Sequence, residues 1–342
     1  MDEQHLIEWV SERCGPILRY RIARDLADDC APATQERLLA GVLACDECRR
    51  WLDNLSASRS IHGGKDVNAE NPLAKLLEYG LDRCVPEFNE RVQAVLNRGL
   101  GLWDAHVLAP FLVRAGYTDH EVVQTWLRER LDKLVETAQA GDFDLYLSAE
   151  EAAHVPNAWR GRPIYKDKFG HEAGYAIPTC YDFGALAYWP EPDARLMKKL
   201  EAVVAYLSDP RFQSTVGGYG WDRANRRCYA AGRVFLACAE PARMPLFVEW
   251  GARFASARKS DWFQRSLKCL EGWRTPRGTY SLPANLVAER SGYYIYGGLH
   301  MGLGEDRRNP QAIELESTFR MLSIKRRMAG AVSRSSTHDS RI

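Results

Sequence analysis

The nineteen residues HEVVQTWLRERLDKLVETA, His120 to Ala138, decide the fold class. Val122, Val123, Trp126, Leu127, Leu131 and Leu134 recur at helical spacing, and charged residues fill the gaps, so the segment reads as a helix buried on one face only. Thr118-Asp119 in front of it is a plausible cap. The same period recurs on both sides. Leu6, Trp9 and Val10 share it, as do Ile17, Leu18, Ile22, Ala23 and Leu26 after the Gly15-Pro16 break, where Pro16 suits a first helical turn. Further runs cover Gln35–Cys45, Pro72–Tyr79, Phe88–Asn97 and Asp104–Arg114. Beyond the middle of the chain they cover Asp182–Tyr188, Ala194–Leu207, Tyr229–Cys238, Met244–Ala255, Asp261–Glu271, Tyr296–Met301 and Pro310–Lys325. Strand-type alternation is nearly absent, so the expected class is all-α. Residues 141–179 have no steady period and are rich in Pro, Gly, aromatic and charged residues. They read as a long irregular insertion with any strands confined mainly to Asp142–Thr179, and a loop of this length is often functional. The Ser-rich stretch from 329 to 342 is expected to be a disordered tail.

Composition narrows the classes of function. Among 342 residues, 46 Lys and Arg face 45 Asp and Glu, a net charge of +1. Nucleic-acid binding usually carries a basic excess, so none is expected. No apolar run reaches the length of about 20 residues that a membrane-spanning helix needs. The acidic opening MDEQHLIEWV lacks a basic region followed by an apolar one, so no secretory signal is expected. Nine scattered cysteines read as free thiols in a reducing cytoplasm.

One pattern repeats. Cys180-Tyr181-Asp182-Phe183-Gly184-Ala185-Leu186, Cys228-Tyr229-Ala230-Ala231-Gly232-Arg233-Val234 and Tyr294-Ile295-Tyr296-Gly297-Gly298-Leu299 each open a short helix with tyrosine and place a glycine early. Their period is roughly 50–65 residues. Repeated helical hairpins must stack to bury their faces. The glycine permits close approach of neighbouring helices.

Several stretches resemble the uncharacterised bacterial branch of the terpenoid-cyclase and protein-prenyltransferase superfamily. Ile17-Leu18-Arg19-Tyr20-Arg21-Ile22-Ala23-Arg24-Asp25-Leu26 is similar to its opening helix. Gly278-Thr279-Tyr280-Ser281-Leu282-Pro283, Gly292-Tyr293-Tyr294 and Gly302-Leu303-Gly304-Glu305-Asp306-Arg307-Arg308 are similar to its last turn and hairpin, and Glu316-Ser317-Thr318-Phe319-Arg320-Met321-Leu322 to its final helix. The resemblance implies an α/α toroid of about six inner and six outer helices, in one domain over residues 1–328, and much less about chemistry. It also departs from the family. Asp25-Leu26-Ala27-Asp28-Asp29 has the wrong spacing for the Asp-x-Asp-Asp motif of protonating cyclases and reads as solvated acids near a turn. Cys180 and Asp182 stand in reversed order for the prenyltransferase zinc site, with His300 far behind.

The candidate chemistry lies mainly in the second half. Lys166, Lys168 and Cys180 crowd the long insertion and the helix after it. In a toroid, loops before inner helices line one mouth of the central cavity, and aromatic faces there suit an apolar or cationic ligand. The expected ligand-binding set is Tyr165, His171, Tyr175, Tyr181, Tyr219, Trp221, Tyr229, Tyr294 and Tyr296, joined by Tyr293. Asp182, Asp222 and His300 are the expected catalytic groups, converging for proton transfer. Helix caps for the two aspartates and a backbone partner for His300 are the structural alternative. Ser60-Ile61-His62-Gly63-Gly64-Lys65-Asp66 offers a turn before a helix near Asn71-Pro72, where an anion could sit with Lys65. Trp103-Asp104-Ala105-His106 places an acid and an imidazole at a helix start. Cys45-Asp46-Glu47-Cys48 lacks the second ligand pair of a zinc site and reads as two cysteines on one helical region. No metal set and no cofactor is assigned, and oligomeric state is left open. Three functions fit: an enzyme acting on an apolar or isoprenoid-like small molecule, a saccharide lyase or hydrolase with a polar cleft and Asp182 and Asp222 as paired carboxylates, or a non-catalytic binding protein.

Overall fold

The structure, a computed structural model, describes residues 2–27, 29–169, 176–215, 217–222, 227–230, 243–287, 289–293 and 300–336. It is predominantly helical. The first half runs α1 (Glu3–Arg13), α2 (Pro16–Asp25), α3 (Pro32–Ala44), α4 (Asp46–Ala57), α5 (Glu70–Glu78), α6 (Pro86–Leu96) and α7 (Leu102–Arg114). Proline opens α2, α3 and α6, where its missing N–H costs no intrahelical bond. The stretch read from His120 is helical throughout but not uniform. His120 caps α8 (Glu121–Thr125), a π-helical turn covers Trp126–Leu131, and α9 (Asp132–Ala140) ends at Gly141 in the left-handed region. Next come α10 (Cys180–Tyr188), α11 (Ala194–Ser208), α12 (Pro210–Gln213), α13 (Met244–Gly251), α14 (Ala255–Lys259), α15 (Asp261–Glu271) and the long α16 (Ala312–Ser336). Thus the stretch expected to be disordered from Ala329 is helical as far as Ser336. No helix is long and apolar enough to cross a membrane among the described residues.

Three local expectations change. The only paired strands among the described residues are β1 (Tyr219–Asp222) and β2 (Arg227–Ala230), an antiparallel hairpin outside the long insertion. The helix expected to begin at Tyr229 therefore opens as a strand, and 231–242 lie outside the described residues. The packing reason is a small apolar cluster in which Cys228 meets Val155 and Ile164 beneath Trp221 and Tyr219. A strand supplies its alternation. The insertion itself holds single bridges, Tyr146 to Tyr165 and Ile164 to Tyr219, with short 3-10 turns. Of the helix expected over Tyr296–Met301, only His300 and Met301 are described. Neither is helical, and His300 forms a single antiparallel bridge with Glu289. Finally, Asp46–Ala57 is a full helix: Cys45 caps it by accepting from the Cys48 N–H, and Trp51, Leu52 and Leu55 bury its apolar face.

The helices that carry the site pack in succession. α5 lies on α7, α7 on α10, α10 on α13 and α13 on α16, while α16 returns to α1 and α2. Glu70, His106 and Thr179, near the starts of α5, α7 and α10, gather at one end, where Glu70 meets Tyr181 and His106 meets Thr179. At the other end Arg114 pairs with Glu78 at 2.5 Å, and its guanidinium lies 4.6 Å over the Tyr188 ring. The three helices therefore run parallel. Gly184 sets their spacing, since a Cβ there would stand 3.0 Å from Pro110 of α7 and 3.0 Å from Trp250 of α13. Gly184→Val should cost about 1–3 kcal/mol by overpacking. Urea unfolding followed by circular dichroism measures it. An unchanged midpoint would show that α10 is not held this closely.

Candidate functional site

The site is built from the start of α5. Glu70 is buried, with its side chain only 1% exposed, and an isolated carboxylate there would be costly. It is met by three donors. The Gly63 N–H reaches Oε1 at 2.7 Å, His62 Nδ1 lies 2.8 Å from Oε1, and the Tyr181 hydroxyl donates to Oε2 at 2.8 Å. The Gly63-Gly64 turn makes this possible, since a side chain at Gly63 would overlap Asn68. Asn71 secures the turn by donating to the carbonyls of Gly63 and Lys65. With Nδ1 directed to Glu70, the imidazole presents Nε2 as its basic nitrogen. Aromatic rings surround it: Tyr293 at 5.1 Å, Trp103 at 6.0 Å and Tyr181 at 6.1 Å. Trp103 and Tyr293 are among the few large apolar side chains left exposed.

A second imidazole stands behind the first. His106 lies 5.7 Å from the Tyr181 ring, with Nε2 3.1 Å from the Thr179 hydroxyl and Nδ1 3.6 Å from Asp182. Asp182 is the third residue of α10 and closes a capping box with Thr179. Arg130 also grips it with two bonds, 3.0 and 2.8 Å, and the Trp126 indole donates at 3.3 Å. The π-helical turn carries both Trp126 and Arg130. Burial pushes the Asp182 carboxyl up, but Arg130, His106 and the cap outweigh it and hold the group down to about 2. Burial pushes His106 down to about 4, with Asp182 opposing only in part and Arg130 adding to the fall. At neutral pH Asp182 is an anion fixed by structure and His106 is uncharged.

A third group adjoins the same loop. Fully buried Lys75 of α5 pairs with Glu289 and donates to the Gly302 carbonyl at 2.6 Å. Burial pushes Glu289 up, yet Lys75 and His300 more than offset this and its carboxyl sits below the usual range. His300 lies 3.7 Å from Glu289 and 4.0 Å from Asp66, with Nε2 2.9 Å from the Gly292 carbonyl and its ring edge-on to Trp51.

The expected site residues are thus dispersed. Asp182 and Tyr181 lie buried in the first turn of α10, His300 lies in the neighbouring Lys75 group, and no bond joins Asp182 to His300 among the described contacts. Asp182 does cap its helix, and His300 does bond a backbone carbonyl. Asp222 and Tyr229 are placed only by backbone, in β1 and β2. Tyr165 stacks on Tyr146 at 5.4 Å against the main core, while Tyr219 packs on Trp159 at 5.2 Å and Trp221 joins these two in the small cluster. His171, Tyr175, Tyr294 and Tyr296 lie outside the described residues. Among the described residues no His, Cys, Asp and Glu group could hold a metal ion. Burial raises the Cys180 thiol well above its usual range. Asp25, read as solvated, is instead clasped by Arg21 and Arg24. Sequence reasoning missed Glu70, Lys75, Arg130 and Glu289. Only Glu70 carried a signal, an acid at a helix start directly after the His-Gly-Gly turn.

His106 gives the site a pH signature. Its folded pKa, about 4, lies below the unfolded value of 6.5, so the unfolded chain binds the extra proton and stability falls from pH 6.5 down to pH 4. The loss over that interval is on the order of 3–4 kcal/mol, at roughly 1.4 kcal/mol per pKa unit. Urea midpoints at pH 7 and pH 4.5 should differ less in His106→Gln than in the wild-type chain. An equal acid loss in both would place the sensitivity elsewhere. Comparison of the chain with family models, with curated proteins and with solved structures gives no match.

Proposed function

We propose that this chain is an acid–base enzyme of the α/α-toroid type, a lyase or hydrolase acting on a saccharide at the His62–Glu70–Tyr181 mouth. The toroid reading is supported by the parallel run of α5, α7 and α10, by their stepwise packing onto α13 and α16, and by the return of α16 to α1 and α2. The chemical reading rests on one observation: a histidine oriented by a buried carboxylate stands between two half-exposed aromatic rings, Trp103 and Tyr293. Glu70 holds the imidazole through Nδ1 and fixes its orientation, so that Nε2 can take a proton and return it. Tyr181, hydrogen-bonded to Glu70, is the second proton carrier within reach. Flat aromatic faces beside polar groups suit a ring with apolar C–H faces and hydroxyl edges. The His62–Glu70 pair favours such a polar substrate over an isoprenoid, whose chain would call for an apolar chamber.

The test is a panel of neutral and uronate-containing oligosaccharides with products read by mass spectrometry. A hydrolase adds water across the cleaved bond, whereas a lyase leaves an unsaturated ring. His62→Ala and Glu70→Gln should lower turnover by roughly 10²–10⁴-fold while the melting temperature stays near the parent's. Wild-type turnover in His62→Ala, or retention of an apolar ligand with no saccharide cleaved, would refute the assignment.

A further inference from the structure

Cys45 and Cys48 meet at the start of α4, and both are free thiols. Cys45 is the N-cap, half-buried, and its Sγ accepts the Cys48 N–H at 3.4 Å. Cys48 lies one turn in and is 0% exposed, set in the same apolar core that Cys45 packs against. We propose that the two form a reversible intramolecular disulfide, with a low-molecular-weight disulfide of the glutathione type as the oxidant.

Geometry carries the argument. A rise of ~1.5 Å and a turn of ~100° per residue put helical Cα atoms three positions apart about 5 Å from each other. Disulfides span Cα separations of about 4.4–6.8 Å. The Cys45 sulfur is already folded over the first turn toward the Cys48 backbone, so closing the bond asks for side-chain rotation and leaves the helix in place. The turn is pinned from between the two cysteines. Glu47 accepts the Trp51 indole N–H and the Tyr79 hydroxyl at 3.1 Å each, and Arg50 at 2.6 Å. A fixed turn keeps the second thiol beside the first, which makes ring closure effectively unimolecular.

Access sets the order of steps. The Cys45 thiolate attacks one sulfur of the oxidant, forms a mixed disulfide and releases one thiolate. The Cys48 thiolate then attacks Cys45 Sγ, closes the Cys45–Cys48 bond and releases the second. Two protein thiols lose two electrons and two protons, and the oxidant leaves as two thiols. Burial pushes the Cys48 thiol up to about 12. Burial raises Cys45 as well, with the Cys48 N–H opposing and Glu47 and Asp46 adding to the rise. A strongly oxidising dithiol is one whose reduced form is stabilised, and these surroundings supply no such stabilisation. The pair therefore accepts oxidation slowly and keeps it, the behaviour of a site that is itself modified and does not oxidise other proteins.

The test incubates the folded full chain at about pH 8, where thiolates form, with graded ratios of reduced to oxidised glutathione. Free thiols are then trapped by alkylation and the peptides mapped by mass spectrometry. The peptide holding Cys45 and Cys48 should lose two hydrogens and both alkylation sites together, and dithiothreitol should restore them. Cys48→Ser should stop at the mixed disulfide, with one glutathione on Cys45. Should that variant fail to fold, Cys48→Ala keeps the site apolar and should give the same adduct. His62→Ala should bridge like the parent, since the pair does not depend on the proposed saccharide site. Alkylation of both cysteines at every glutathione ratio, bridging of either to a different cysteine, a bridge that forms only in urea, or no Cys45 adduct in either Cys48 variant overturns the proposal.

Discussion

Glu78 closes α5, and its carboxylate, 2% exposed, is held by Arg114 of α7 and Arg320 of α16. Arg21 of α2 donates to its backbone carbonyl. Four helices far apart in sequence therefore meet on one residue. Removing either arginine would leave a buried charge only partly compensated, a defect that commonly costs about 3–5 kcal/mol. The groups at the opposite helix ends depend on this anchor. Glu70 begins the helix that Glu78 ends, and His106 stands two turns before Arg114 on the next helix. The positions of Glu70 and His106 follow from where their helices are pinned at the far end.

Two imidazoles separated by the Tyr181 ring differ in role because their surroundings differ. His106 is enclosed, faces a carboxylate already claimed by Arg130, and stays neutral. It fixes Thr179 and the wall behind Tyr181. His62 keeps more than a quarter of its side chain exposed and has Glu70 on one nitrogen. An imidazole with an oriented carboxylate and access to solvent is equipped to exchange protons, whereas an enclosed one is a spacer with a hydrogen-bonding edge. The same distinction separates Asp182 from Glu70. Asp182 is bound by a bidentate arginine and a cap, which leaves its charge no freedom.

Apolar periodicity made most helices legible, because a helix that buries one face must repeat every three to four residues. Asp261–Glu271 begins and ends where its pattern does. Asp46–Ala57 was legible only at its start, as two cysteines on one helical region, because Asp46, Glu47, Arg49 and Arg50 crowd its first turns and mask the buried side. The β1–β2 hairpin escaped because its pairing answers to Ile164 and Val155, more than fifty residues upstream, which no local period reports. Tyr181 and Asp182 were legible as an aromatic and an acid opening a helix. Glu70 and Arg130 were not, because their importance comes from what the fold brings to them across the chain: Tyr181 to one, Asp182 to the other. An acid at a helix start and an arginine within a helix are ordinary in sequence.

The π-helical turn at Trp126–Leu131 places both Trp126 and Arg130 on the Asp182 carboxylate. A π-turn amounts to one residue more than the regular spiral would hold. Each residue of an α-helix advances about 100° around the axis. Loss of one residue here would swing either Trp126 or everything from Arg130 to Ala140 to another face, whereas the surface turns of 141–169 can change length without rotating anything. Length is therefore the constrained quantity in this segment, and natural variation here should appear as substitutions at fixed spacing, with insertions and deletions displaced to its flanks.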